Sequence, residues 1–186
     1  MNIIKTNIDG VLIVEPRVFG DARGYFFESF NLRDFKEQTG IDINFVQDNE
    51  SRSCHGVVRG LHFQLPPFAQ AKLVRVVEGT VLDVAVDIRK GSSTYGQHVA
   101  VELSAENKRQ FLLPKGFAHG FAVLSDTAIF QYKCDEYYHP EAEGAIAWDD
   151  QILNIDWHLD PADVILSDKD RHHPSFANFQ SPFALA

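Results

Sequence analysis

The stretch from Leu73 to Ile88, LVRVVEGTVLDVAVDI, constrains the fold more than any other part of this chain. Its apolar residues recur at every second position, the period of a strand and not of a helix. Glu78-Gly79-Thr80 interrupts the run, so it reads as two strands joined by a tight turn containing glycine. In the second strand Leu82, Val84, Val86 and Ile88 share one face, and Asp83 and Asp87 share the other with Val81 and Ala85. A face that carries Asp beside Val is expected to line a partly polar cavity.

Short strands with turn residues between them are expected at Val11–Val14, Gly24–Phe30, His98–Leu103, Gln110–Leu113, Gly120–Leu124 and Ala128–Asp135. One early helix stands out. Asn31 caps LRDFKEQT, Asp34 follows three residues on, and Gly40 ends it. The tail from Trp157 reads as looser, with short helical turns. Many short strands and few helices imply a sandwich or barrel.

The 186 residues suffice for one sizeable core and show no linker, so residues 1–186 read as a single domain. With 17 Lys and Arg against 26 Asp and Glu, the formal net charge is -9, which argues against nucleic-acid binding. An anionic ligand must therefore meet locally concentrated Arg and Lys. Lys5, Asn7, Asp9 and Gly10 break the apolar N-terminus, so no signal-peptide core is expected, and no stretch approaches membrane-spanning length. Cys54 and Cys134 have no paired metal spacing and read as reduced thiols of a cytoplasmic protein.

Gly56 is followed after five residues by His62, then by Gln64, Lys72 and, six residues later, Gly79. This resembles the first motif of the cupin family, with Gln64 in place of the second His and Lys72 in place of the Glu. Pro114-Lys115-Gly116-Phe117-Ala118-His119 resembles the second motif, although Lys108 and Val123 depart from its flanks. The resemblance implies a mainly β fold, a cupin-type jelly-roll β-barrel with a few short helices. An ammonium repels a divalent ion, and two imidazoles without a carboxylate hold one poorly, so no metal and no cofactor is expected. His62, Gln64, Lys72 and His119 would then form an acid/base constellation in the vacated pocket. Arg59 precedes His62 by three residues, which puts the two on opposite faces unless the strand is kinked, and Gly60 is a candidate kink. Tyr132 alternates with Phe130 and Cys134 and reads equally as core packing or as a catalytic phenol.

The segments FGDARGYFFESFN (Phe19 to Asn31), FVQDNESRS, GVVRGLHFQ, KLVRVVEGTVLDVAVDIRKGSSTYG, PKGFAHGF, YKCDEYYHPEAEGAIAWDD and LSDKD closely resemble the dTDP-4-dehydrorhamnose 3,5-epimerases over almost the whole chain. The resemblance implies a metal-free, homodimeric cupin of carbohydrate and lipopolysaccharide biosynthesis. Such an enzyme inverts C3 and C5 of a dTDP-linked 4-keto-6-deoxy sugar. It implies His62 as base, Tyr132 as acid, Lys72 as the cation opposite the enolate, and Asp170 as the carboxylate orienting His62, with Asp83 as second choice. It also implies binding roles for Arg23, Glu28, Gln47, Asp48, Asn49, Arg59, His119, Glu143 and Lys169, and stacking of Tyr138 on thymine. Glu50, Cys54-His55, Phe63, Trp148-Asp149-Asp150-Gln151 and Trp157-His158 depart from the usual pattern. A single-carbon epimerase, a metal-dependent cupin using His62 and His119, and a non-catalytic sugar-nucleotide binding module are the competing readings.

Overall fold

The computed structural model describes residues 1–185. The strands are β1 (Asn2–Lys5), β2 (Leu12–Glu15), β3 (Val18–Asp21), β4 (Gly24–Phe27), β5 (Gln47–Cys54), β6 (Val58–Gln64), β7 (Lys72–Glu78) and β8 (Thr80–Asp87). They continue with β9 (Arg89–Lys90), β10 (His98–Ser104), β11 (Gln110–Leu113), β12 (Phe117–Val123), β13 (Thr127–Cys134), β14 (Glu143–Ala145) and β15 (Phe183–Ala184). Helix α1 spans Leu32–Thr39. Two sheets face each other, ordered β1-β2-β11-β7-β13-β5 and β10-β8-β12-β6-β14. The order skips between distant parts of the chain, as expected of a jelly roll.

Strand alternation builds the core. Val74 and Val76 of β7, Phe111 of β11 and Phe130 of β13 meet Val81 and Ala85 of β8 and Phe121 of β12 between the sheets. The other face of β8, with Leu82, Val84, Val86 and Ile88, is covered by Leu153, Trp157, Phe176 and Phe179 from the tail. β8 is thus buried on both faces, although its pattern alternates. The tail, expected to be loose, is a cover held by three-residue 3-10 turns at Pro161–Asp163, Asp170–His172 and Phe176–Asn178. On the opposite side α1 packs Phe35 against Leu12, Leu73 and Leu112. The Asn31 side chain accepts from Asp34 N, and Gly40 closes the helix at φ +71°.

Besides the short strands β1, β3, β9, β14 and β15, which no local pattern signals, three departures from the sequence reading stand out. The Gly24–Phe30 strand ends at Phe27 and pairs only with β3, as a hairpin outside both sheets. β12 begins at Phe117, where it pairs with Asp87 of β8, three residues before the expected Gly120. β5, QDNESRSC, pairs with β13 along its whole length without any apolar alternation.

A bulge in β6 carries the site. His62 lies opposite His119 and Arg59 opposite Phe121, so three residues of β6 span two of β12. The bulge turns Arg59 and His62 to one side. Gly60 sits there at φ +136°, and a Cβ on it would lie 2.5 Å from Gly120 Cα, which excludes any side chain.

Asp87, expected on the polar face of β8, organises the following turn. Its fully buried carboxylate accepts from Arg89 Nε at 2.9 Å and Nη2 at 2.8 Å, and from the Ser92 and Thr94 hydroxyls at 2.7 Å each. Burial alone would raise its pKa from 3.8, but the bonds from Arg89, Ser92 and Thr94 prevail and lower it to about 2. A depressed carboxylate stabilises the fold above its unfolded pKa, and that contribution, on the order of 2 kcal/mol, disappears as pH falls from about 4 to about 2. Asp87→Asn is expected to lower stability at neutral pH and to flatten the dependence of unfolding on pH between about 4 and about 2. Denaturant titrations at stepped pH check both, and an unchanged slope would reject the assignment.

Candidate active site

At one end of the sandwich the layer between the sheets turns from apolar to polar and opens into a cavity of about 400 Å³. Gln47, Asn49, Ser51, Lys72, Phe130 and Tyr132 line it from the first sheet. Arg59, His62, Gln64, His119, Phe121 and Glu143 line it from the second. His62 and Tyr132 are therefore on opposite walls.

The chain positions His62 through two long-range contacts. β6 supplies the residue, and the tail runs beside β6, with Ile165 N donating to Gly56 O at 2.8 Å and Val58 N to Ile165 O at 3.0 Å. This strap brings Asp170, 5% exposed, to His62, with Nε2 and Oδ1 2.6 Å apart. Ser167 Oγ donates to the other oxygen at 2.7 Å, and His173 Nε2 lies 3.3 Å from Oδ1. Burial would raise the Asp170 pKa, but hydrogen bonds from His62, Ser167 and His173 and the charge of His62 hold it well below the usual carboxylate range. An ionised Asp170 accepts the Nε2 proton and leaves the Nδ1 lone pair free to act as a base.

Across the cavity, burial first, then Cys134 and Tyr138, push the Tyr132 phenol above its usual pKa, against the pull of Arg59. It stays protonated and able to donate. Lys72 shares the inward parity of Val74 and Val76, and its Nζ lies 5.8 Å from the Tyr132 ring centroid. Burial pushes the Lys72 ammonium below the usual lysine range, opposed by Cys134, Asp83 and Glu143.

Asp83 is fully buried and takes the other histidine. Its oxygens lie 2.9 and 3.0 Å from His119 Nε2. Asp83 is thus not the carboxylate on His62, the second choice made from sequence. Burial raises its pKa, opposed by His119 and Lys72. The cupin metal position does not suit a cation. The Gln64 amide donates to the backbone oxygens of Phe68 and Tyr137 and accepts from His139 N, and Lys72 fills the position of the carboxylate. A metal-dependent reading through His62 and His119 is therefore left with two imidazoles and no ligand at the other two motif positions.

Other sequence-selected residues gather at the rim. Gln47 accepts from Tyr138 N at 3.0 Å and donates to Asn49 at the same distance. The Tyr138 ring lines the cavity while half exposed to solvent, available for stacking. Lys169 is paired with Glu143, which lowers the Glu143 pKa. Arg59 is steadied by Ser53 through Nε at 3.3 Å and Nη2 at 3.2 Å.

Three residues do not join them within one chain. Alternation along β5 turns Asp48 away from Gln47 and Asn49, and it pairs with Lys133 at 2.9 Å outside the sheet. Arg23, its side chain 89% exposed, pairs with Asp21 on the β3–β4 hairpin. Glu28 is exposed just beyond that hairpin. Conversely, Ser51, Gln70 and Phe121 line the cavity, and Ser167 and His173 contact Asp170, none of them signalled by a local pattern.

The family model for dTDP-4-dehydrorhamnose 3,5-epimerase matches residues 5–178. The enzyme of that name from Shigella flexneri is 56% identical over 96% of this chain and 97% of its own. That from Methanothermobacter thermautotrophicus is 55% identical over 91% of each. A crystal structure from Legionella pneumophila, in complex with dTDP-4-keto-L-rhamnose, superposes with a TM-score of 0.95 at 53% identity, covering 100% of this chain and 99% of that one. A 3'-monoepimerase from Streptomyces bikiniensis, bound to dTDP-quinovose, follows at 0.86 and 35%, covering 92% and 86%. A jelly roll in which lysine occupies a cupin's metal position, matched along nearly its whole length, identifies the chain as a member of the dTDP-4-dehydrorhamnose 3,5-epimerase family.

Proposed function

We propose that this enzyme converts dTDP-4-dehydro-6-deoxy-D-glucose to dTDP-4-dehydro-L-rhamnose by epimerising C3 and C5 through enolates, without a cofactor. One observation carries the reading: His62 and Tyr132 face each other across a single cavity that also contains Lys72. Both carbons flank the C4 ketone, so each proton becomes removable once the oxygen can take negative charge. His62 Nδ1 removes the proton, and Asp170 stabilises the imidazolium. The Lys72 ammonium lies opposite the developing enolate oxygen. Tyr132 returns a proton from the other wall, which inverts the carbon. Arg59, Gln47, Asn49, His119, Glu143, Lys169 and Tyr138 hold the sugar and the nucleotide, with Tyr138 stacked on thymine.

Incubation of chelator-treated protein with this substrate in deuterated water is expected to label both C3 and C5. Absence of exchange at either carbon in folded protein rejects the reading. The likeness to the Streptomyces bikiniensis monoepimerase favours a second reading, inversion at one carbon, which the same spectrum recognises as label at C3 alone.

A homodimer completes the site in this proposal. The β3–β4 hairpin exposes Phe19, Tyr25 and Phe26, at 51, 60 and 69%, and carries Arg23 away from its own cavity. An apolar arm of this kind needs cover, and a second copy would provide it while receiving Arg23 and Glu28. Mixed dimers of Arg23→Ala with His62→Ala should then regain activity, because one of the two sites is intact. Failure of the mixture to exceed either variant alone would assign Arg23 to its own chain or to no site. Asp48 faces away from its own chain's cavity and would act across the same interface. No helix among the described residues is long and apolar enough to cross a membrane. The free thiols of Cys54 and Cys134 suit the cytoplasm.

A further inference from the structure

We propose that His62, Asp170 and His173 form an inhibitory site for a borderline-soft divalent ion such as Zn²⁺, distinct from the abandoned cupin metal position. The binding follows from the donor geometry alone, and the inhibition rests on the epimerase reading above. Among the described residues this is the set of His, Cys, Asp and Glu whose donor atoms converge, all within 4.8 Å of one another. Two imidazole nitrogens and one carboxylate oxygen are a donor set that Zn²⁺ takes readily, with solvent in the remaining position.

The convergence has a structural cause. Asp170 opens the 3-10 turn Asp170–His172, and His173 follows it in extended backbone, three residues on, with its ring turned back to the Asp170 carboxylate. His62 meets them edge-on, its ring perpendicular to that of His173 with centroids 5.6 Å apart. Both Nε2 atoms aim at the same Asp170 oxygen, from 2.6 and 3.3 Å. Tetrahedral Zn²⁺ with bonds of about 2.0–2.1 Å requires donors about 3.3 Å apart. The His173–Asp170 pair already meets this spacing, and the His62–Asp170 pair must open by about 0.7 Å to meet it. The Ser167 hydroxyl at 2.7 Å anchors the second Asp170 oxygen, an outer contact that pre-orients the carboxylate.

A cavity of about 320 Å³ beside the cluster gives access from solvent. It also contains Lys169, paired with Glu143, and Arg59, whose nearest polar partner is the neutral Ser53. That unneutralised guanidinium opposes a cation, so binding is reversible and not that of a resident cofactor. Occupancy stops turnover for a definite reason. With Nε2 bound to the ion, the neutral imidazole carries its proton on Nδ1, and no lone pair remains for the substrate. The proton moves from one nitrogen to the other through solvent, and no redox change is involved.

The test is titration of chelator-treated protein with Co²⁺, read by its visible absorption, and with Zn²⁺, read by epimerase activity. The expected result is one tetrahedral Co²⁺ per chain displaced by Zn²⁺, inhibition by Zn²⁺ reversed by a chelator, and no effect of Mg²⁺, which prefers oxygen ligands. His173→Ala and His173→Gln should each raise the required ion concentration at least about tenfold, since even the loss of an outer partner costs about 10–100-fold. Thermal denaturation of the metal-free variants establishes that they are folded, and His173→Gln replaces the ring by a side chain that still reaches Asp170 by hydrogen bonding. No Co²⁺ band, or ion sensitivity unchanged from the parent in both His173 variants, overturns the proposal. So does a site lost in His119→Ala and kept in His173→Ala, which would return the ion to the cupin position. The Co²⁺ measurement does not depend on turnover, so its failure is separate from failure of the epimerase reading.

Discussion

His62→Ala is expected to abolish both inversion and deuterium exchange at C3 and C5, lowering kcat by about 10²–10⁴, the range typical of a lost general base. Tyr132→Phe is expected to behave differently. His62 can still remove a proton and return one to the same face, so exchange with solvent continues while inversion stops. The distinction follows from the placement of the two groups on opposite sheets, His62 on β6 and Tyr132 on β13. Chiral analysis of the recovered sugar nucleotide separates inversion from exchange, and proton magnetic resonance measures the exchange. If Tyr132→Phe loses exchange and inversion together, the phenol takes part in proton removal and the division of roles is wrong. If His62→Ala retains exchange, another base serves the cavity.

Lys72→Met should lower kcat by about 10²–10³, the usual loss when one donor to a developing oxyanion is removed. Its effect on stability should have the opposite sign. Burial pushes the Lys72 ammonium below the usual lysine range, so the fold bears a desolvation cost that a thioether of similar length does not. The variant is expected to melt no lower than the parent while turning over far more slowly. Steady-state kinetics and thermal denaturation on one preparation check this. A fall in Tm accompanying the fall in kcat would make Lys72 a structural residue, and an unchanged kcat would remove it from the mechanism.

The period of two over residues 73–88 was enough to predict β7 and β8, and the capped, glycine-terminated segment after Asn31 was enough to predict α1. These signals are local, because alternation and capping depend on neighbours a few residues apart. β5 was not predicted, because Gln47, Asn49 and Ser51 face the cavity while Asp48, Glu50 and Arg52 face outward. A strand that is polar on both faces has no hydrophobic period. The kink inferred at Gly60 between Arg59 and His62 is present as a bulge, and Gly120 beside it explains why only glycine fits.

The candidate site divides in the same way. His62, Lys72 and His119 stand in recognisable spacings, and Gln64 and Lys72 replace the ligands that a cupin metal position needs. The resemblance to the epimerases suggested Asp170 and left Asp83 as an alternative. The fold separated the two, giving Asp170 to His62 and Asp83 to His119. That outcome depends on the tail running beside β6, a contact across 108 residues that no window of sequence contains. His173 reaches the same carboxylate from just beyond the turn at 170–172.

By itself the sequence determined the strand-rich class, the helix and its ends, and which residues, Gln64 and Lys72, stand at two of the cupin ligand positions. It could do so because periodicity, capping and ligand type are properties of neighbouring residues. Only the tertiary structure decided which carboxylate serves which histidine, that His62 and Tyr132 stand on opposite walls, and that Arg23, Glu28 and Asp48 lie outside their own chain's cavity. Those facts depend on sheet pairing, strand parity and the course of the tail, which bring together residues that the sequence keeps far apart.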